Sequence, residues 1–450
     1  MIAFMTIALL VSVFLLNSDR IQKAIEICSE CLILLNSTDQ NSKDQFDSVL
    51  PQCYSDIFTV LFSKMLSVLY RESGIMLQTL GENLKAKEHV ERALSIATEI
   101  GDKSEEASCY GNLGALLQSL GEYDKAQESL QKALVIKTEI GDIKGEASCY
   151  GNLGTVFLSL GQYDKAQEYL KNALDVRTEI GDREGEATDY GNLGTLFLSL
   201  GQYDKAQEYL QGALVIKTEI GDRKGEASCY GNLGTVFRSL GQYDKAEEYL
   251  QRALVINTEI RDRKGEASCY GILGTVFLSL GQYNMANKYL LTALVIRTEI
   301  GDEEGKAADL ANLGDVSRAL GDYEASEVCL EKAFSISRDI GDRRKEFEIL
   351  QKYAILYLSQ NKNKESLSCL HLCIEKYEEL RYFLGANDQF KTSLLEHSGI
   401  FPYKLLCNLL FDTGNARDAL YFEELCRARG LSDLMVERYS VETHISANPQ

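Results

Sequence analysis

The chain has 450 residues, 45% of them hydrophobic, with 3 prolines against 35 glycines and no tryptophan. Its formal net charge of -20 would repel a phosphate backbone and argues against nucleic-acid binding. So few prolines over this length favour long helices joined by short turns.

The chain opens with "MIAFMTIALLVSVFLLN". This segment is apolar over the length of a signal-peptide core, but it has no basic leading region and no small-residue cleavage site. It is also short for a membrane span. The amphipathic "SDRIQKAIEICSECLILL" continues it in the register of the later repeats. The start therefore reads as a buried helix, with a signal peptide as the alternative. Cys28 and Cys31 form a C-x-x-C without the second ligand pair that zinc requires. Residues 36–51 are polar and read as a loop. Residues 1–62 are expected to hold degenerate N-terminal repeat-like helices, with no membrane span.

From about residue 70 to 380 the chain aligns with itself at a period of 40 residues without gaps. "GEASCYGNLG" begins at Gly145 and Gly225, and "ALVIKTEIGD" at Ala133 and Ala213. A fixed period of this length denotes a solenoid or array. Within one repeat, Tyr150, Leu153, Phe157 and Leu160 share one helix face. Gly161 ends that helix in the left-handed position that glycine adopts cheaply. Asp164 stands in the first turn of the next helix, where negative charge suits the dipole. Ala166, Leu170, Ala173 and Val176 mark its buried side, Gly181 closes it, and Asp182 opens the next repeat. Each repeat is thus a helix hairpin, with helices predicted at about 145–160 and 163–180 in this example.

A glycine inside a helix costs about 1 kcal/mol relative to alanine, yet Gly154 recurs as Gly114, Gly194, Gly234, Gly274 and Gly314. With Ala166 and Ala173 it forms a small-residue seam that lets paired helices approach closely. Cys109, Cys149, Cys229 and Cys269 occupy one repeat position. Stacked repeats separate them by about 10 Å, beyond disulfide reach. They read as half-buried packing residues in a reducing, cytoplasmic compartment.

Tyr150, Leu153, Gly154, Phe157, Ala166, Leu170 and Ala173 together resemble the tetratricopeptide repeat. The family's helix-ending proline is replaced by Thr178, so the repeat has 40 residues where about 34 is usual. This longer form looks like the repeats of Pins/LGN G-protein-signalling modulators and kinesin light chains. The resemblance implies an all-α, right-handed superhelical solenoid of tetratricopeptide helix hairpins, with the array at 63–380. The last repeat is degenerate, with Ala354 and Ser366 where the glycine and first alanine would stand. Residues 381–440 are expected to be irregular repeat-like C-terminal helices or linker, and 441–450 a disordered tail. "GNARDALYFEELCRARGLSDLMVERYS", from Gly414, resembles the segment joining repeats to a CHAT domain in animal tetratricopeptide repeat protein 28-like chains. That likeness gives the alternative function: the regulatory arm of a larger, protease-like protein.

The sequence contains no evident catalytic constellation, cofactor motif or metal site. His89, His371, His397 and His444 lie in unrelated contexts, and a pairing of His371 with Cys369 or Cys373 has no third group to orient it. The expectation is a non-catalytic scaffold that binds extended peptide segments in the concave groove lined by the first helices. Asn112, Asn152, Asn192, Asn232 and Asn312 form a ladder there, and an amide offers both donors and acceptors to a peptide backbone. Resemblance to Pins/LGN proteins implies the same use. Gly111, Gly151, Gly191, Gly231 and Gly271 would let that backbone come close. Thr155, Thr195 and Thr235 share the face, and Ile272 interrupts the ladder. The asparagines could instead bridge neighbouring repeats. Arg238, Asp315 and Arg318 are the charged departures and the candidates for specificity. By resemblance, partners would be G-protein regulators, polarity proteins or cytoskeletal adaptors.

Overall fold

A computed structural model describes residues 52–383 and 400–439. The expectations for the apolar start, Cys28, Cys31, His397, His444 and the tail at 441–450 fall outside the described residues. All regular structure among the described residues is helical. The helices are α1 (Gln52–Thr79), α2 (Asn83–Glu99), α3 (Lys103–Ser119), α4 (Tyr123–Glu139), α5 (Ile143–Ser159) and α6 (Tyr163–Ile180). They continue as α7 (Arg183–Ser199), α8 (Tyr203–Glu219), α9 (Arg223–Ser239), α10 (Tyr243–Ile260), α11 (Arg263–Ser279) and α12 (Tyr283–Ile300). The last six are α13 (Glu303–Ala319), α14 (Tyr323–Asp339), α15 (Arg343–Ser359), α16 (Asn363–Phe383), α17 (Ile400–Asp412) and α18 (Ala416–Tyr439). The chain divides into two compact units: residues up to 160 with 164–185, and residues 161–163 with 186 onward.

The ends of each helix are written in the sequence. Asp142, Asp222, Asp262 and Asp302 cap first helices by accepting a hydrogen bond from the backbone N–H three residues on, which satisfies one of the orphan donors of a helix start. Glycines such as Gly141, Gly221 and Gly241 take left-handed φ angles of 71°, 74° and 71° after the helix ends. Arg261 and Asn361 adopt that conformation without being glycine, at φ 59° and 57°.

The seam is tighter than its small residues alone suggest. A Cβ at Gly154 would lie 2.6 Å from Leu170 Cγ, and one at Gly234 would lie 2.6 Å from Leu250 Cγ. The leucine of the second helix therefore fills the slot, while Ala166, Ala173, Ala246 and Ala253 are fully buried beside it. Each seam removes a leucine from water, a gain of about 2 kcal/mol, which exceeds the glycine penalty.

Within the first unit α1 packs on α3 and α3 on α5; within the second α9 packs on α11, α11 on α13 and α13 on α15. First helices thus lie side by side and present one face in each unit. C-terminal to the array, α17 forms a hairpin with α18 and also packs on α16. Tyr377, Tyr403, Leu406 and Ala419 join Phe347 in one core there. Cys109, Cys149, Cys229 and Cys269 are free and buried rather than half-buried, because they face the joint between successive hairpins.

Candidate functional site

In the first unit, Asn112 on α3 and Asn152 on α5 are half-buried, and neither side-chain amide has a hydrogen-bond partner among the described residues. The Thr155 hydroxyl donates to the Asn152 carbonyl at 2.8 Å and also exchanges contacts of 3.3 and 3.4 Å with the Gln118 amide. The inter-repeat bridge in this unit is therefore made by threonine and glutamine, and the asparagines stay available.

In the second unit, Asn192, Asn232 and Asn312 are likewise half-buried. The amides of Asn192 and Asn232 are unpartnered among the described residues. Asn312 differs: its Oδ1 accepts from Lys352 Nζ at 3.4 Å. Thr195 and Thr235 donate to the carbonyls of Gly191 and Gly231 at 3.0 and 3.2 Å, so these hydroxyl protons are spent on their own helices. Asp315 pairs with Lys352 and stands 3.8 Å from Arg318 Nε. Asn312, Asp315 and Arg318 are thus drawn into one cluster around Lys352. Arg238, on α9, stands outside that cluster, half-buried and without an ion pair among the described residues. Lys352 escaped the sequence reading, although it lies 40 residues beyond Asn312 and so holds the ladder position of the last repeat.

The glycine row divides. A Cβ at Gly111, Gly191 or Gly231 would meet nothing within 4 Å, so these positions open the backbone to an approaching chain. A Cβ at Gly271 would lie 3.0 Å from Asp309 Oδ1 and 3.2 Å from Arg297 Nη2. That glycine accommodates a buried ion pair, Arg297 Nε to Asp309 Oδ2 at 2.8 Å. Burial lifts the Asp309 carboxyl to about 7, against the pull of Arg297.

Burial also raises the Cys109 thiol to about 12 and those of Cys149, Cys229 and Cys269 to about 11. Such thiols stay protonated and are poor nucleophiles near neutral pH. Cys373 Sγ donates to the Phe347 carbonyl at 3.8 Å, while His371 sets its ring edge-on to Phe422, with centroids 5.3 Å apart. The conceivable Cys–His pairing on α16 is therefore not formed. Among the described residues no group of His, Cys, Asp or Glu is arranged to hold a metal ion, and no described helix is long and apolar enough to cross a membrane.

Stacked hairpins with a glycine–leucine seam, and a first-helix face carrying unspent amides, define a helical-repeat protein. The tetratricopeptide repeat model matches residues 65–139, 145–219, 199–259, 225–299 and 306–379, and the chain belongs to that family. No curated protein sequence matches it. Among solved structures it is similar to aspartyl phosphate phosphatase F from Bacillus subtilis, with TM-score 0.53, 15% identity, and coverage of 81% of this chain and 91% of that one. A Rap protein complexed with competence and sporulation factor gives TM-score 0.51 and 15% identity, covering 78% of this chain and 99% of that one. A STAND signal-transduction ATPase with a tetratricopeptide repeat sensor, from Pyrococcus horikoshii, gives 0.50 and 17%, covering 82% of this chain and 53% of that one. These likenesses bear out the all-α tetratricopeptide solenoid.

Proposed function

We propose that the chain is a non-catalytic protein-interaction scaffold whose first-helix face holds extended peptide segments. The observation that carries this is the state of the ladder. Asn112, Asn152, Asn192 and Asn232 make no side-chain hydrogen bond among the described residues, so they do not serve as bridges between repeats. Half-buried amides left unpaired by the fold are suited to a peptide backbone, which needs a donor and an acceptor together. Open space at Gly111, Gly191 and Gly231 supports the close approach of that backbone. Asn312 is withdrawn from the set, since Lys352 already occupies its acceptor.

The array at 63–380 is the interacting part in this reading. Likeness to Pins/LGN-type modulators favours G-protein regulators, polarity proteins or cytoskeletal adaptors as partners, in a cytoplasmic setting. The test is affinity capture with mass spectrometry and peptide mapping, comparing the natural chain with an Asn192→Ala, Asn232→Ala variant. The captured protein should be lost or sharply reduced, with helicity by circular dichroism unchanged. Equal capture by both chains would sink the ladder as a contact surface.

A further inference from the structure

We infer that the segment held against α9 presents a carboxylate side chain to Arg238, so that the second unit takes an extended peptide carrying an Asp or Glu at that point. This rests on the peptide-binding reading of the same face. Arg238 is half-buried and makes no ion pair among the described residues; Arg261, Arg338 and Arg417, which also lack one, are exposed. A guanidinium kept partly from water without a counter-charge is the more unusual state, because partial desolvation penalises an unpaired charge.

The surroundings of Arg238 point the same way. The chain carries a net charge of -20, yet the face positions of α9 and α11 hold no carboxylate. Positions 228, 231, 232, 235 and 239 of α9 are Ser, Gly, Asn, Thr and Ser, and the equivalents on α11 are Ser268, Gly271, Ile272, Thr275 and Ser279. The repeat equivalents of Arg238 itself are Leu198 and Leu278. One cation therefore sits in a neutral, partly apolar row of an otherwise acidic protein. The nearest precedent along the array, Arg318, is already answered by Asp315, which also takes Lys352. Arg238 has no such answer among the described residues, and a planar guanidinium is matched best by a carboxylate that accepts two N–H bonds. Long-range repulsion from the acidic surface fades over about 8 Å at physiological salt, so the local contact decides.

A phage-displayed random dodecapeptide library, panned on the whole chain, provides the probe. Asp or Glu should be enriched at one fixed position of the selected peptides. Their binding should weaken about ten- to a hundredfold, the range of a hydrogen bond to a charged group, on an Arg238→Leu variant, which copies Leu198 and Leu278 and so suits the fold. Changing the peptide acid to its amide should cost little further in that variant. Peptides that need Asn192 and Asn232 but bind Arg238→Leu undiminished would overturn this inference and leave the scaffold reading intact. Peptides indifferent to the asparagine pair, or a library that yields no binders, would count against the scaffold reading and this inference with it.

Discussion

The hairpins α9–α10 and α13–α14 come from one repeat pattern and differ in where they have diverged. Their seams are alike: a Cβ at Gly234 or Gly314 would lie 2.6 or 2.9 Å from the Cγ of Leu250 or Leu330. Their joints to the preceding helix are not. Lys217 pairs with Asp222 at 2.8 Å ahead of α9, where Cys229 is buried. Arg297 pairs with Asp302 at 3.0 Å and with buried Asp309 ahead of α13. Their faces differ too, since Asn232 is unspent while Asn312 is tied to Lys352. The seam keeps small residues beside its leucine, Ala246 in one hairpin and Ser326, whose hydroxyl donates to the Gly314 carbonyl at 2.8 Å, in the other, because both helices must close on it. The joint accepts any set whose charges and volumes cancel, and the face is held by neither constraint.

The joints offer the strongest test of that division. Arg297→Met would leave Asp309, 2% exposed, without its counter-charge. Breaking one partner of a buried pair costs about 3–5 kcal/mol. The double change Arg297→Lys, Asp309→Cys rebuilds the combination found as Lys217 and Cys229, and should cost about 1 kcal/mol or less. Local stability of α12 and α13, read by native-state hydrogen exchange, separates the cases; this suits an array whose stability is a sum of neighbour terms. If the double variant were as damaged as the single one, the two joints would not be interchangeable solutions.

Two neighbouring glycines on α9 sharpen the contrast between seam and face. Gly234→Ala should destabilise the hairpin by about 1–3 kcal/mol through overpacking against Leu250. Gly231→Ala, with nothing within 4 Å of its Cβ, should stabilise it by up to about 1 kcal/mol through helix propensity. Urea midpoints of the two variants should therefore move in opposite directions. A bulkier Gly231→Leu change should leave stability intact yet reduce capture of a groove partner. A midpoint that falls for Gly231→Ala and rises for Gly234→Ala would invert the assignment of seam and face.

The features repeated in register were legible in the sequence. The 40-residue period exposed the hairpins, the left-handed glycines, the aspartate that opens each repeat and the seam, because each is local and recurs. The ladder was legible for the same reason. What it touches was not, since a half-buried asparagine reads identically whether spent or unspent, and only placement distinguishes Asn232 from Asn312. Lys352 was hidden by the loss of the motif glycine in its repeat, though a step of one period from Asn312 leads to it. The Arg297–Asp309 pair joins residues on two helices across a turn, and helical periodicity does not report such contacts. A comparison of repeats does: Arg177 is followed by Asp189 as Arg297 is by Asp309, whereas Lys137 and Lys217 are followed by Cys149 and Cys229.

The smallest expected effect concerns a turn where one repeat departs from its neighbours. Arg261 holds φ 59° at the end of α10, where the neighbouring hairpins place Gly221 at 74° and Gly301 at 71°. An L-residue pays about 1–2 kcal/mol in that conformation, while glycine loses more backbone freedom on folding, so Arg261→Gly should gain about 1 kcal/mol or less. The side chain is exposed and makes no ion pair among the described residues, so little is lost with it. Asn361, at φ 57°, tolerates the left-handed region better than arginine does, and Asn361→Gly should gain less. A thermal melt that rises more for Arg261→Gly than for Asn361→Gly would place the difference in backbone strain. No rise in either variant would mean that both turns are relaxed and that the glycine elsewhere is retained for another reason.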